Sequence, residues 1–260
     1  MDIKKIFADL GVLQRPVVIH ASFKKMRAWA QAPSQLTQIF QESFPTIMMP
    51  AFTHHATVGA PQNDHPKRNG MDYQKKWVSP HVPFLLENAP IDPRMGILAK
   101  ELSIVHGCHR SDHAWHSWLA WGKNAEMLVA DHSWDTTNLP LERLAEQGGW
   151  VVLMGVGLEA CTAIHIAEER AGRKPFIRWA LDRNEVCRRV RASGCAKGFN
   201  HLRPQLKMLR SAKIRECEFL AAPLNELIAT AAEVLKNNPS LSACSKDCLK
   251  CKDMIAGGPV

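Results

Sequence analysis

The segment 150–172 constrains the fold of this chain more than any other. Trp150-Val-Val-Leu-Met154 is a continuous apolar run of strand length. Gly155-x-Gly157 then breaks it and leads into a segment with helical spacing, in which Ala160, Ala163, Ile164, Ala167 and Ala171 share one apolar face. A buried strand, a glycine turn and an amphipathic helix form the unit of an open α/β sheet, whose ligands sit outside the carboxyl ends of the strands. On the flank of this helix Cys161, His165 and Glu168 fall three and four residues apart, within side-chain reach of one another. An imidazole beside a carboxylate at a strand end can carry acid–base chemistry, and it can equally be a surface pair. Geometry alone leaves both readings open.

The rest of the chain alternates in the same way. Helices are expected over 3–10 and 33–43, flanking a strand at 16–20, with a second strand at 46–50. Residues 53–94 are rich in Pro, His, Asn and Asp and read as a long excursion, taken as a substrate-side flap. A helix follows at 95–105, then an irregular stretch at 107–122, short helices near 124–130 and 140–147, and strand 150–154 before the helix already described. Short strand-like runs occupy 176–220, and a helix at 222–236 closes the fold. The expectation is a single α/β domain over residues 1–240, with layered helices around a central mixed β-sheet, and a Cys-rich tail over 241–260.

A resemblance to a known family runs through much of this order. The pattern Gly155-x-Gly157…Thr162-x-x-His165-x-x-Glu168 is similar to the hallmark of the aminoglycoside 3-N-acetyltransferase family. Val17-Val-Ile-His20-Ala-Ser22-Phe23 resembles that family's first strand and its His-x-Ser exit, and Ile47-Met-Met-Pro50-x-Phe52-Thr53 its second. Arg110-Ser111-Asp-His113 to Ser117 follows an Arg-Ser-x-His-Pro-x-x-Ser-Phe segment, with Ala114 in place of the proline and Trp118 in place of the phenylalanine. His132, Pro140-Leu141 and Gly194-Cys195-x-x-Gly198-Phe199 complete the ordered set, which covers roughly residues 8–235. One departure concerns charge: many members have Glu where this chain has Lys100, with Glu101 one residue along.

The resemblance implies acetyl-CoA as co-substrate, a small-molecule amine as acceptor, and the 3-amino group of an aminoglycoside as the reference acceptor. It implies His165 as general base with Glu168 orienting the imidazole, although Asp131 or a carboxylate of the flap is an alternative orienting group. It places Ser22, Ser111, His113 and Ser117 along the coenzyme, with Lys24 and Arg110 as the nearest cations. Transfer to another small amine in metabolite biosynthesis, or a non-catalytic coenzyme A-binding role, are the alternatives.

Composition agrees with a soluble enzyme. No stretch approaches the ~20 apolar residues of a membrane span, and the N-terminus lacks an apolar signal core. With eight cysteines and no signal peptide, reduced thiols and a cytoplasmic location are expected. The net charge of +8 is concentrated: residues 170–215 hold fourteen Lys and Arg against Asp182 and Glu185. Only Phe176, Trp179 and Phe199 interleave that block, which disfavours nucleic acid; the phosphates of coenzyme A are a sufficient anionic partner.

Three further groups have metal or nucleophile potential. His106, His109, His113 and His116 have spacings open to zinc, but Gly107 interrupts a helix there and no His-Glu-x-x-His is present. Cys161 beside His165 raises an acyl-thiol route, against which stands simple core packing. In the tail, Cys244, Cys248 and Cys251 offer three corners of a structural zinc site, with Cys217, Cys195 or a His as the fourth.

Overall fold

The structure is a computed structural model describing residues 2–75, 77 and 81–260. Its strands are β1 (Val17–Ala21), β2 (Thr46–Pro50), β3 (Thr57–Val58), β4 (His109–Arg110), β5 (Trp118–Gly122), β6 (Trp150–Met154), β7 (Phe176–Leu181), β8 (Cys187–Ala192), β9 (Arg210–Ile214) and β10 (Cys217–Pro223). Its α-helices are α1 (Ile3–Asp9), α2 (Phe23–Met26), α3 (Pro33–Ser43), α4 (Ile97–Ser103), α5 (Ala125–Val129), α6 (Leu139–Glu146), α7 (Ala163–Arg170), α8 (Leu224–Asn237) and α9 (Leu249–Ile255).

The main sheet has the order β4-β5-β2-β1-β6-β10-β9. β1 runs parallel to both β2 and β6, and the outer pairings are antiparallel, so the sheet is mixed. Side chains alternate across it as the pleat requires. Val151 and Leu153 enter a core with α5, α6, α7 and α8, whereas Val152 and Met154 enter the opposite core with α1, α3 and α4. The result is three layers with helices on both faces, as expected from the sequence. β3, β7 and β8 form a separate three-stranded sheet.

The segment 107–122, expected to be irregular, contains β4 and β5. Trp118, Leu119 and Ala120 are all buried, because β5 lies between β4 and β2 and is covered on both faces. Its residues therefore lack the polar–apolar alternation that signals a half-exposed strand.

The flap at 53–94 packs against the second sheet; its residues 76 and 78–80 lie outside the described ones. Thr57 and Val58 pair with β7, the Asn69 side chain accepts from the backbone N–H of Ile177 at 2.7 Å, and the indole N–H of Trp179 donates to Asp64 at 2.7 Å. The tail is likewise part of the fold. Cys251 and Met254 are buried, and Lys67 and Val260 exchange backbone hydrogen bonds at 3.2 Å. No described helix is long and apolar enough to cross a membrane.

Candidate active site

β1 is where the sheet changes direction, since its parallel partners β2 and β6 lie on opposite sides. The crevice at such a switch point is the expected ligand site. It is present as a cavity of about 450 Å³, lined by Ile19, His20 and Ala21 at the end of β1, Met49 and Pro50 at the end of β2, and Val156, Glu159 and His165 after β6. That volume is in the range of small-ligand sites. The flap supplies His54, Arg94 and Met95, and the tail supplies Lys250.

Glycine is required in the turn that delivers His165. Gly155 has φ +67°, and a Cβ there would press on the Lys25 side chain at 2.9 Å. At Gly157 a Cβ would lie 2.4 Å from Oε2 of Glu159 and 2.7 Å from Oδ1 of Asn200. A 3₁₀ turn over Leu158–Ala160 follows, and α7 begins only at Ala163. Cys161 therefore precedes the helix. Its thiol is fully buried in the core, and burial pushes its pKa up to about 12, so a thiolate nucleophile is disfavoured.

His165 is 7% exposed. Its Nδ1–H donates to Oε2 of Glu168 at 2.8 Å, one turn along α7, and its ring meets Phe199 edge-on at 4.8 Å. The other carboxylate oxygen of Glu168 accepts from Nη1 of Arg173 at 2.6 Å. Arg173 in turn donates to the Ser242 hydroxyl at 2.8 Å and to the Pro239 carbonyl at 2.6 Å. The chain Arg173–Glu168–His165 is buried along its length, and it fixes the imidazole with Nε2 free to accept a proton. Asp131, the alternative orienting residue, is exposed and sits 3.7 Å from Arg143 instead. Sequence reasoning missed Arg173 and Ser242; the basic residue just beyond the helix end is the only local sign of the first.

Other imidazoles surround this centre. His116 stacks on Phe52 at 4.4 Å, and burial, followed by the charges of His165, His54 and His132, holds its pKa well below the usual range. Burial brings His20 down to about 4. His54 bonds to Asp92 at 2.9 Å, yet burial and the charge of Arg94 keep its pKa below the ordinary value.

The residues that the resemblance links to the coenzyme divide into two groups. Ser22 caps the exit of β1, its N–H donating to the Met154 carbonyl at 2.9 Å, and Lys24 is exposed in the first turn of α2. Ser111, His113 and Ser117 instead form a buried framework beside the cavity, with the half-buried Arg110 bonded to it. Arg110 donates to the Ser117 hydroxyl and to the carbonyls of Ala51 and Ala89. The Ser111 hydroxyl accepts from the Trp118 N–H at 2.8 Å. His113 accepts the N–H groups of Trp115 and His116 on Nδ1, at 3.0 and 2.8 Å, and stacks on His132. Lys100 lines a second cavity, along with Arg110 and Glu87, and does not border the one at His165.

The basic block at 170–215 does not form one face. Arg173 is tied to Glu168, Arg189 to Asp64 and Arg203 to Glu218, and Arg178 is buried. In the tail, Cys195 joins Cys244, Cys248 and Cys251, with all four sulfur atoms within 4.8 Å of one another. Among the described residues no other group of three or more His, Cys, Asp or Glu converges in this way, the His106–His116 run included.

Comparison with known proteins bears on the family and the fold. The chain is 35% identical over 116 residues to aminoglycoside N(3)-acetyltransferase VII of Streptomyces paromomycinus, covering 42% of this chain and 40% of that protein. It is 26% identical over 170 residues to the class IV enzyme of Salmonella sp, covering 62% and 54%. The matched stretches thus span under two thirds of these relatives' lengths. Among solved structures, the apoenzyme of aminoglycoside acetyltransferase AAC(3)-IVa superposes with a TM-score of 0.76 at 20% identity, covering 98% of this chain and 95% of that one. AAC-IIIb in its binary complex with CoASH gives 0.70 at 18%, covering 90% and 95%. The profile described as aminoglycoside 3-N-acetyltransferase matches residues 18–236. With its switch-point crevice, and with His165 and Glu168 on the helix beside it, this chain belongs to the aminoglycoside 3-N-acetyltransferase family.

Proposed function

We propose that this chain transfers the acetyl group of acetyl-CoA to a small-molecule amine by direct attack, with His165 as general base and the aminoglycoside 3-amino group as the family's reference acceptor. The observation that carries this reading is the buried Arg173–Glu168–His165 chain at the switch-point cavity. An acceptor amine arrives mostly as an ammonium and must lose a proton before it attacks. Nδ1 of His165 donates to Glu168, so Nε2 holds the lone pair that takes that proton. The amine nitrogen forms a bond to the thioester carbonyl carbon, the carbon–sulfur bond breaks, and coenzyme A leaves as a thiolate that is then protonated. Glu168 stabilises the imidazolium formed in the first step.

On the coenzyme side, Ser22 and Lys24 stand at the exit of β1, where the thioester arm enters. Arg110, Ser111, His113 and Ser117 hold the wall beside it in place. Support comes from the coenzyme A complex of AAC-IIIb, which shares the fold. The test is thiol release from acetyl-CoA with gentamicin, apramycin and simple amines, run beside His165→Ala. Turnover lost in the variant, with acetyl-CoA still bound, is the expected result. Absence of acetyl-CoA binding, or unchanged turnover in His165→Ala, overturns it.

A structural zinc ion held by Cys195, Cys244, Cys248 and Cys251 belongs to the same reading. A tetrahedral site with Zn–S bonds of about 2.3 Å has sulfur–sulfur edges of about 3.8 Å. Cys244 lies 3.7 Å from both Cys195 and Cys251. Burial raises the Cys248 thiol, but hydrogen bonds from the Cys251 backbone and from the neighbouring thiols outweigh it and bring the group down to about 7. Burial raises the Cys195 and Cys251 thiols instead, so a bound zinc would itself supply the charge that keeps the set deprotonated.

A further inference from the structure

Four imidazoles border the cavity: His20, His54, His116 and His165. Three of them have hydrogen-bond partners. His165 donates to Glu168, His54 bonds to Asp92, and Nδ1 of His116 lies 3.4 Å from the Ser193 hydroxyl. His20 differs. It is 7% exposed, and its Nε2 is buried with no hydrogen-bond partner among the described residues. Enclosing a polar ring without a partner costs free energy. Proton removal does not explain it, because burial brings its pKa down to about 4 and leaves it a poor base.

Strand register fixes where this ring stands. His20 pairs with Leu153 of β6, two residues before the glycine that opens the turn to His165. By the alternation of the pleat it shares the sheet face of Val18, which enters the core on which α7 packs. His20 and His165 therefore reach one cavity, the first from the strand end and the second from the helix. Ser22, at the exit where the thioester arm enters, lies two residues further along. The His20 ring meets Trp118 edge-on at 6.4 Å, and an indole offers a donor and no acceptor. An N–H at the enclosed Nε2 has no acceptor to meet, so the ring keeps its lone pair there and its proton on Nδ1. A neutral imidazole of this kind polarises a carbonyl as a hydrogen-bond donor.

We infer that His20 is a further catalytic residue: its Nδ1–H donates to the thioester carbonyl oxygen of acetyl-CoA and holds the negative charge that forms there during transfer. This rests on the acetyltransferase reading at His165 and assigns the group that faces the oxyanion. As the amine nitrogen bonds to the carbonyl carbon, the electron pair of the C=O π bond moves onto oxygen. When the carbon–sulfur bond breaks, that pair returns and the sulfur leaves as a thiolate. The His20 proton stays on Nδ1 throughout, so the ring ends as it began. A donor already in place in a buried site needs no reorganisation at the moment of reaction.

The experiment uses the full chain with acetyl-CoA carrying ¹³C at the thioester carbonyl, and isotope-edited infrared spectra give the carbonyl stretch of the bound molecule. Wild-type protein, His20→Leu and His20→Asn are compared; the asparagine side chain can place an N–H near the position of Nδ1. Acetyl-CoA affinity, melting temperature and turnover with gentamicin are measured on each. In wild-type protein the bound carbonyl is expected at lower frequency than in solution. His20→Leu loses that shift and His20→Asn regains most of it, with affinity unchanged. Turnover falls by about 10²- to 10³-fold in His20→Leu, the range for a single oxyanion donor. Its melting temperature does not fall, because an unpartnered polar group has been removed. His20→Met, equally unable to donate, takes its place if the leucine variant does not fold. A wild-type carbonyl at its solution frequency, or a shift that persists in His20→Leu, overturns the proposal. So does a His20→Leu protein that loses turnover and melting temperature together while the carbonyl shift stays. The infrared arm needs no acceptor, so it decides the role of His20 whether or not gentamicin is acetylated. Failure of acetyl-CoA itself to bind is a separate result, and it removes the acetyltransferase reading.

Discussion

Nδ1 of His165 lies 2.8 Å from Oε2 of Glu168, and both side chains are more than nine-tenths buried. The pair is local in sequence, but its burial is not. The helix packs into the core through Ala163, Ile164 and Ala167, and His165 borders the cavity at the strand ends.

Glu168→Gln tests what the carboxylate contributes beyond geometry. Glutamine can still accept from Nδ1–H but cannot stabilise the imidazolium. We expect turnover to fall by about 10²-fold or more, within the range of general-base contributions, with acetyl-CoA affinity unchanged. Steady-state kinetics beside equilibrium binding check this. A variant with near wild-type turnover removes Glu168 from the mechanism.

Arg173→Met leaves Glu168 buried without its cation. Breaking a buried pair in this way costs about 3–5 kcal/mol. At about 2–4 °C per kcal/mol for a chain near this size, the melting temperature falls by roughly 6–20 °C. Combining it with Glu168→Gln removes the orphaned charge and restores part of the loss, because the two residues share one interaction. Thermal melts of the two single variants and the double variant measure the coupling, and strict additivity refutes it.

Stability falls as the solution is acidified through the histidine range. Burial holds His20 and His132 near pKa 4, against about 6.5 for a histidine in an unfolded chain. Between these values the unfolded chain binds more protons than the folded one, so stability rises with pH across this window. The contribution is fully present above pH ~6.5 and drains away toward pH ~4, by about 2 kcal/mol per histidine at pH 5. Urea midpoints at pH 7.5 and pH 5 report it, and His20→Gln removes its own share of the slope. Equal midpoints at the two pH values contradict the buried neutral state.

Metal analysis of the purified chain should find about one zinc per molecule. Cys248→Ser and Cys195→Ser should each lose most of it, because a site of four thiolates needs every corner. Loss from Cys195→Ser is the more telling result, since that residue lies about fifty positions from the tail. Zinc below a tenth of an equivalent in the wild-type chain, or retained in both variants, refutes the site.

Much of the frame was legible along the chain. The apolar run at 150–154 and the glycine turn after it announced β6 and the approach to α7, and α3 spans the residues expected for it. β5 was hidden, because a strand covered on both faces carries no alternation and this one follows a histidine-rich stretch. The helix carrying His165 also starts later than its periodicity implied, so Cys161 enters the core rather than sharing the histidine's flank.

By itself the sequence determined the spacings: His165 to Glu168, the three tail cysteines, and the order of motifs that marks the family. Helical and pleated periodicities are local, so these survive in one dimension. The tertiary structure decided which distant groups complete them: Arg173 and Ser242 behind Glu168, Cys195 as the fourth thiol, and Lys250 and Arg94 at one cavity wall. Those contacts join segments up to about 150 residues apart. They form only when burial of two apolar cores folds the sheet and drives its flap and tail together, and no local pattern encodes that closure.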